Sequence, residues 1–174
     1  MRPDDTLGYW LMQTMRSVAN AFSDLLQTSC ATLGKSYVIT PPQWFALGSL
    51  AHEQDLPIGT LAQRLALDAS VVTGIVKRLE QHSLIKRIHD QTDYRLVRLH
   101  LTEEGREITH ALADAVTIFN QRLLQGFSPE EKEMLLQQLA RIRANARSIR
   151  GKMPQEEVSF QWMPKTGHPL LGSE

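Results

Sequence analysis

The feature that most restricts the fold lies in residues 57–101, where the period of the apolar residues changes from helical to alternating. Ile58, Leu61, Ala62 and Leu65 recur at three- and four-residue steps, and beyond Asp68 so do Val72, Ile75, Val76 and Leu79. Each set forms one apolar stripe along a helix. The spacing predicts a helix over 58–67 and another over 69–82, with Asp68 as the N-cap of the second. Strand-like runs follow at 84–88 and 95–101. In the second, Val97, Leu99 and Leu101 alternate with Arg98 and His100, the period of a half-buried strand. The polar stretch 89–94 between them is turn-prone. Two short helices joined by a tight turn and followed by a hairpin make a helix-turn-helix with a wing.

The stripe of the 69–82 helix leaves Ala69, Ser70, Val71, Thr73, Gly74, Lys77 and Arg78 facing outward. A helix fits the major groove of B-DNA, where polar side chains near its N-terminal half read base edges. Ser70 and Thr73 suit hydrogen bonds to bases or phosphates, and Val71 suits a thymine methyl. Gly74 lets the backbone come close, while Lys77 and Arg78 suit phosphates or guanine. At the wing, Asp93 can pin the guanidinium of Arg95 so that it projects into the minor groove. By pattern alone, a solvated surface helix on a three-helix core remains open.

The net charge is zero, with 19 basic and 19 acidic residues, which by itself argues against nucleic acid. The distribution argues the other way. Residues 57–101 hold seven Lys/Arg against four Asp/Glu, so the basic surface is confined to the centre of an otherwise acidic chain.

Helical stripes flank this centre. Leu7, Leu11, Val18, Phe22 and Leu25 predict a helix from about Thr6 to Ser29. Trp44, Leu47 and Leu50 predict one from Thr40, with Gln43 completing a capping box, to about Glu53. A fifth helix, capped by Thr102, carries Ile108, Leu112, Ala115, Phe119 and Leu123 and stops at Gly126. A sixth opens on the capping box Ser128-Pro-Glu-Glu131 and runs to about Ile149. Residues 151–174 show no period and read as an extended or mobile tail. The expected class is mainly α with an α+β wing: a six-helix winged helix-turn-helix subunit with a helical dimerisation region.

No run of about 18 apolar residues exists, and Met1–Thr6 lacks the pattern of a signal peptide, so a cytoplasmic protein without membrane association is expected. Cys30 is the only cysteine, which excludes an intrachain disulfide and a cysteine-based zinc site.

The runs Ile58-Gly-Thr-Leu-Ala-Gln-Arg-Leu65, Asp68-Ala-Ser-Val-Val-Thr-Gly-Ile-Val-Lys-Arg-Leu-Glu80, Leu84-Ile-Lys-Arg87, Asp93-Tyr-Arg95 and Leu101-Thr-Glu-Glu-Gly-Arg106 together resemble the MarR family, over about residues 7–149. The resemblance implies an obligate homodimer that binds a palindromic operator in double-stranded DNA, and it implies dimerisation through the first, fifth and sixth helices. On that basis residues 1–35 and 102–150 are the expected dimerisation parts and 36–101 the DNA-binding domain. Tyr94 departs from the family, which usually has arginine in an Asp-Arg-Arg wing tip. The terminal helices also carry apolar stripes that little else in the chain can cover, which favours self-association independently.

The resemblance further implies repression relieved by a small aromatic carboxylate. Trp10, Trp44 and Tyr37 are the candidate walls of such an effector pocket, and Arg16 the candidate cation. Each also has a plainer reading, Trp44 as core and Arg16 as a surface ion-pair partner. Cys30 as a thiol sensor competes with Cys30 as a bystander. No cofactor, metal site or enzyme activity is expected, since no phosphate loop, nucleophile elbow or metal-binding helix motif is present. A protein-interaction module built on a degenerate winged helix is the other alternative.

Overall fold

A computed structural model describes residues 2–90 and 96–149. The wing tip, with Asp93, Tyr94 and Arg95, and the expected tail at 151–174 lie outside the described residues. The chain divides into two compact units, Met1–Gln125 and Gly126–Glu174.

In the first unit a short 3-10 turn, Pro3–Asp5, leads into α1 (Leu7–Thr32), α2 (Pro41–His52), β1 (Leu56–Pro57), α3 (Ile58–Leu65), α4 (Ala69–Gln81), β2 (Ile85–His89), β3 (Val97–Leu101) and α5 (Glu103–Leu123). In the second unit α6 spans Pro129–Ile149. The helices expected from periodicity all form. α1 continues three residues past Ser29, because Leu26 and Cys30 extend the buried face that Phe22 begins. Cys30 is a free, fully buried core residue.

α3 ends at Leu65, two residues sooner than its pattern suggests. Ala66 takes a left-handed conformation (φ 53°) there and turns the chain into α4. Asp68 occupies the N-cap of α4 with extended backbone, but its carboxylate makes no capping hydrogen bond. The other caps close as the residues suggest. Gln43 accepts the Thr40 backbone N–H at 2.8 Å, Thr102 accepts the Gly105 N–H at 3.0 Å, and Ser128 and Glu131 bond reciprocally.

The sheet is three-stranded and antiparallel in the order β1-β3-β2. Ile85 pairs with Leu101 and His89 with Val97 across the wing, while Leu56 pairs with Leu99 on the other side of β3. β1 has no counterpart in the sequence reading. Two residues are too few to show alternation, and Pro57, lacking an N–H, is tolerated only at such an edge.

The core lies where the helix-turn-helix meets α1, α2 and α5. Val72, Val76 and Leu79 of α4 are fully buried with Leu47, Leu50, Leu61, Leu84, Leu99 and Leu112. Phe22 joins α1 to its neighbours, its ring centroid 5.8 Å from that of Phe45 and 5.1 Å from that of Phe119. The first half of α1 buries nothing comparable: Leu7, Trp10, Met12 and Met15 are each more than half exposed. In the second unit α6 has no buried residue, and Met134, Leu136 and Ile149 are exposed.

Candidate nucleic-acid interface

The interface is built from the stripe of α4 inward. Burial of Val72, Ile75, Val76 and Leu79 fixes the rotation of the helix about its axis. The opposite face is then set, and Ser70, Val71, Thr73, Gly74, Lys77 and Arg78 are all exposed. The Thr73 hydroxyl donates to the Ala69 carbonyl at 2.8 Å, which leaves its oxygen lone pairs outward. A Cβ on Gly74 would meet no atom within 4 Å, so nothing in the fold requires glycine there. Asp93 and Arg95 are outside the described residues.

The basic residues of the centre divide into two groups. Arg64 pairs with Glu53, Arg87 with Glu80 at 2.9 Å, and Arg98 with Asp55 and Asp90. Lys77, Arg78 and Lys86 carry no ion pair among the described residues. Among the described residues of the centre, the unpaired positive charge is therefore concentrated on α4 and the start of the wing. Arg98 alternates outward along β3 as its position suggests, yet the fold consumes its charge. Only contacts across 8 and 43 residues of chain reveal this, and no local pattern carries them.

Behind α4, the turn after α1 is tied to both α4 and α5. Tyr37 stacks on His82, the C-cap of α4, with ring centroids 4.5 Å apart. Its hydroxyl donates to Glu104 at 3.3 Å, and the Lys35 ammonium meets the same carboxylate at 2.5 Å. The Lys35 hydrogen bond holds the Glu104 carboxyl below the usual carboxylate range, and partial burial pushes the Tyr37 phenol up.

The four expected effector residues are spread out. Trp44 lines a cleft of about 510 Å³ with Phe45, Gly48, Ser49, His52, Arg64 and Leu65. Tyr37 is engaged as described. Trp10 is exposed, its indole N–H donating to the Asp4 carbonyl at 2.8 Å, and Arg16 is exposed on α1. Phe45, His52 and Arg64 of the cleft were not among the expected effector residues; the signal available was Trp44-Phe45 and His52 about two helical turns apart on one face of α2.

Comparison with known proteins agrees with this geometry. The model of the MarR family matches residues 39–97. The HTH-type transcriptional regulator YsmB of Bacillus subtilis is 33% identical over 95 residues, 55% of this chain and 65% of that protein. The chain spans about half the length of the curated relatives it matches. A probable transcriptional regulator from Pseudomonas aeruginosa is 31% identical with a TM-score of 0.71, covering 81% of this chain and 99% of its own. The PcaV regulator of Streptomyces coelicolor, solved with its natural ligand, shares the fold at a TM-score of 0.74 and 22% identity, over 84% of this chain and 97% of that one. These relatives are regulators of transcription rather than enzymes, and no helix of the described residues is long and apolar enough to cross a membrane. With six α-helices and a three-stranded wing sheet among the described residues, and the family's motifs along them, the chain belongs to the MarR family of winged-helix transcriptional regulators.

Proposed function

We propose that the chain is a DNA-binding transcriptional repressor that acts as a homodimer in the cytoplasm. Ser70, Val71, Thr73, Gly74, Lys77 and Arg78 enter the major groove, and Arg95, oriented by Asp93, enters the neighbouring minor groove. The observation that carries this reading is the outer face of α4, which is exposed, basic and unused by the fold. The exposed apolar residues of α1 support self-association through residues 1–35 and 102–150, with 36–101 left for DNA. A two-fold dimer sets its recognition helices about 34–36 Å apart, one turn of DNA.

Selection of bound duplexes from a random pool tests the reading. Enrichment of a palindrome with half-sites about 10 base pairs apart is expected; enrichment of no sequence sinks it. Gly74→Ala separates binding from folding. An added methyl in open space inside a helix should stabilise the fold by up to about 1 kcal/mol. It should also weaken operator binding, because it stands where DNA backbone or base edges approach. A variant that binds as tightly as wild type removes Gly74 from the interface.

A second reading concerns control. The cleft at Trp44 is lined by Trp44, Phe45, His52 and Arg64, and a small aromatic carboxylate suits it if it takes the place of Glu53 on the Arg64 guanidinium. PcaV, of like fold, is a regulator with a ligand. Ligand binding there would bias the protein toward an arrangement of recognition helices that DNA does not accept. Titration with hydroxybenzoates should lower operator affinity in wild type, and roughly tenfold more ligand should be needed in Arg64→Ala. Unchanged affinity in wild type across a panel of aromatic acids ends this reading.

A further inference from the structure

Arg98 looks like one more cation on a wing strand. Its surroundings give it another task. The alternation that buries Leu99 and Leu101 puts Arg98 and His100 together on the other face of β3. Asp55, in the loop between α2 and β1, lies against both. Its Oδ2 is 3.4 Å from Arg98 Nη1 and its Oδ1 is 3.0 Å from His100 Nε2. Arg98 Nη1 also donates to the Asp55 backbone carbonyl at 3.2 Å, and Nε donates to Asp90. Asp90 is where the wing tip begins; its backbone N–H donates to the Leu96 carbonyl at 2.9 Å, closing the base of the tip. The Asp90 side chain is only 10% exposed, so this pair is shielded from solvent more than ordinary surface pairs are.

Asp55 is held for this purpose. It has φ 71°, a left-handed conformation that aspartate and asparagine adopt more readily than most residues. That turn aims both its carbonyl and its carboxylate at β3. The short pairing of Leu56 with Leu99 and of Pro57 with Arg98 continues the tie directly into the first residue of α3.

We propose that Arg98 is a positioning residue for DNA binding rather than a DNA contact. Forked between Asp90 and Asp55, it latches the base of the wing tip to the loop that leads into the helix-turn-helix. The wing and α4 then meet DNA as one preorganised surface. His100 Nε2 stands 3.0 Å from the same Asp55 carboxylate, so the loop is flanked by two side chains of one strand. Without the latch, ordering the wing would fall on the binding step and lower affinity. The consequence for DNA rests on the proposed DNA-binding function; the latch itself does not.

The test uses the full chain with Arg98→Met, Arg98→Lys, Asp55→Asn and the double variant Arg98→Met/Asp55→Asn. Asparagine accepts the left-handed backbone, so Asp55→Asn removes the charge without disturbing the turn. In the free protein, hydrogen exchange at the Asp90 amide should quicken in each single variant. On DNA, Asp55→Asn should weaken operator binding roughly tenfold. Simple electrostatics demands the opposite sign, because removing an acid near a polyanion strengthens binding. Arg98→Lys, which keeps the charge but loses the fork, should not restore the latch. The double variant should bind no worse than the weaker single one. Unchanged exchange at Asp90 overturns the latch, whatever happens on DNA. Tighter binding by Asp55→Asn, or full function in Arg98→Lys, overturns the positioning role. Faster exchange in a protein whose wild type binds no duplex upholds the latch and refutes the DNA-binding reading instead.

Discussion

Gly105→Ala should destabilise the winged unit by about 3 kcal/mol or more, at the upper end of what overpacking costs. A Cβ at this position would lie 1.9 Å from the Leu84 carbonyl oxygen and 2.9 Å from its carbon. Both obstacles are backbone, so no rotamer change relieves them. The Leu84 carbonyl is also committed, accepting the Thr102 N–H at 3.1 Å, and the Thr102 hydroxyl donates to Ser83 at 2.6 Å. This corner is where β3 hands over to α5 beside the turn out of α4, and Ser83 there is left-handed (φ 56°). To admit a methyl, the first turn of α5 must move away from Leu84, which breaks those bonds and shifts Ile108 and Leu112 out of the core. Urea unfolding at fixed protein concentration should show a lower midpoint. Gly59→Ala is the control, since its Cβ would meet nothing within 4 Å. Equal midpoints for the two variants would show that the corner relaxes without cost.

The second large effect is on binding. Lys77→Ala and Arg78→Ala should each lower operator affinity by about tenfold to a hundredfold, because a homodimer loses the contact twice. The slope of log affinity against log salt should fall by about two for each phosphate-contacting residue removed, one per subunit. Folding should be untouched, since both side chains are exposed and make no ion pair among the described residues. If one of the two reads guanine instead, its loss relaxes preference at one base pair while the other acts uniformly across sequences. Unchanged affinity and slope in both variants would remove α4 from the interface.

How much of this was legible beforehand follows from the range of each interaction. The stripe Val72, Ile75, Val76 and Leu79 sits within ten residues of chain, and its period specifies both the helix and the face it buries. The caps at Thr102 and Ser128 close within three residues and are equally local. The outer face of α4 follows from the inner one by exclusion, so its candidate contacts needed no coordinates.

The sequence by itself thus determined the order of the six helices and the two wing strands, the inward and outward faces of α4, and membership of a winged-helix family. Only the tertiary structure decided which cations are free. Arg64, Arg87 and Arg98 were indistinguishable from Lys77 and Arg78 until Glu53, Glu80, Asp55 and Asp90 were brought to them. It likewise decided that β1 exists, that Gly105 has no room for a side chain, and that Trp44 rather than Trp10, Tyr37 or Arg16 borders the large cleft. The physical reason is the same in each case. Periodicity and capping are written within a few residues, whereas pairing, steric exclusion and concavity depend on segments that only folding places side by side.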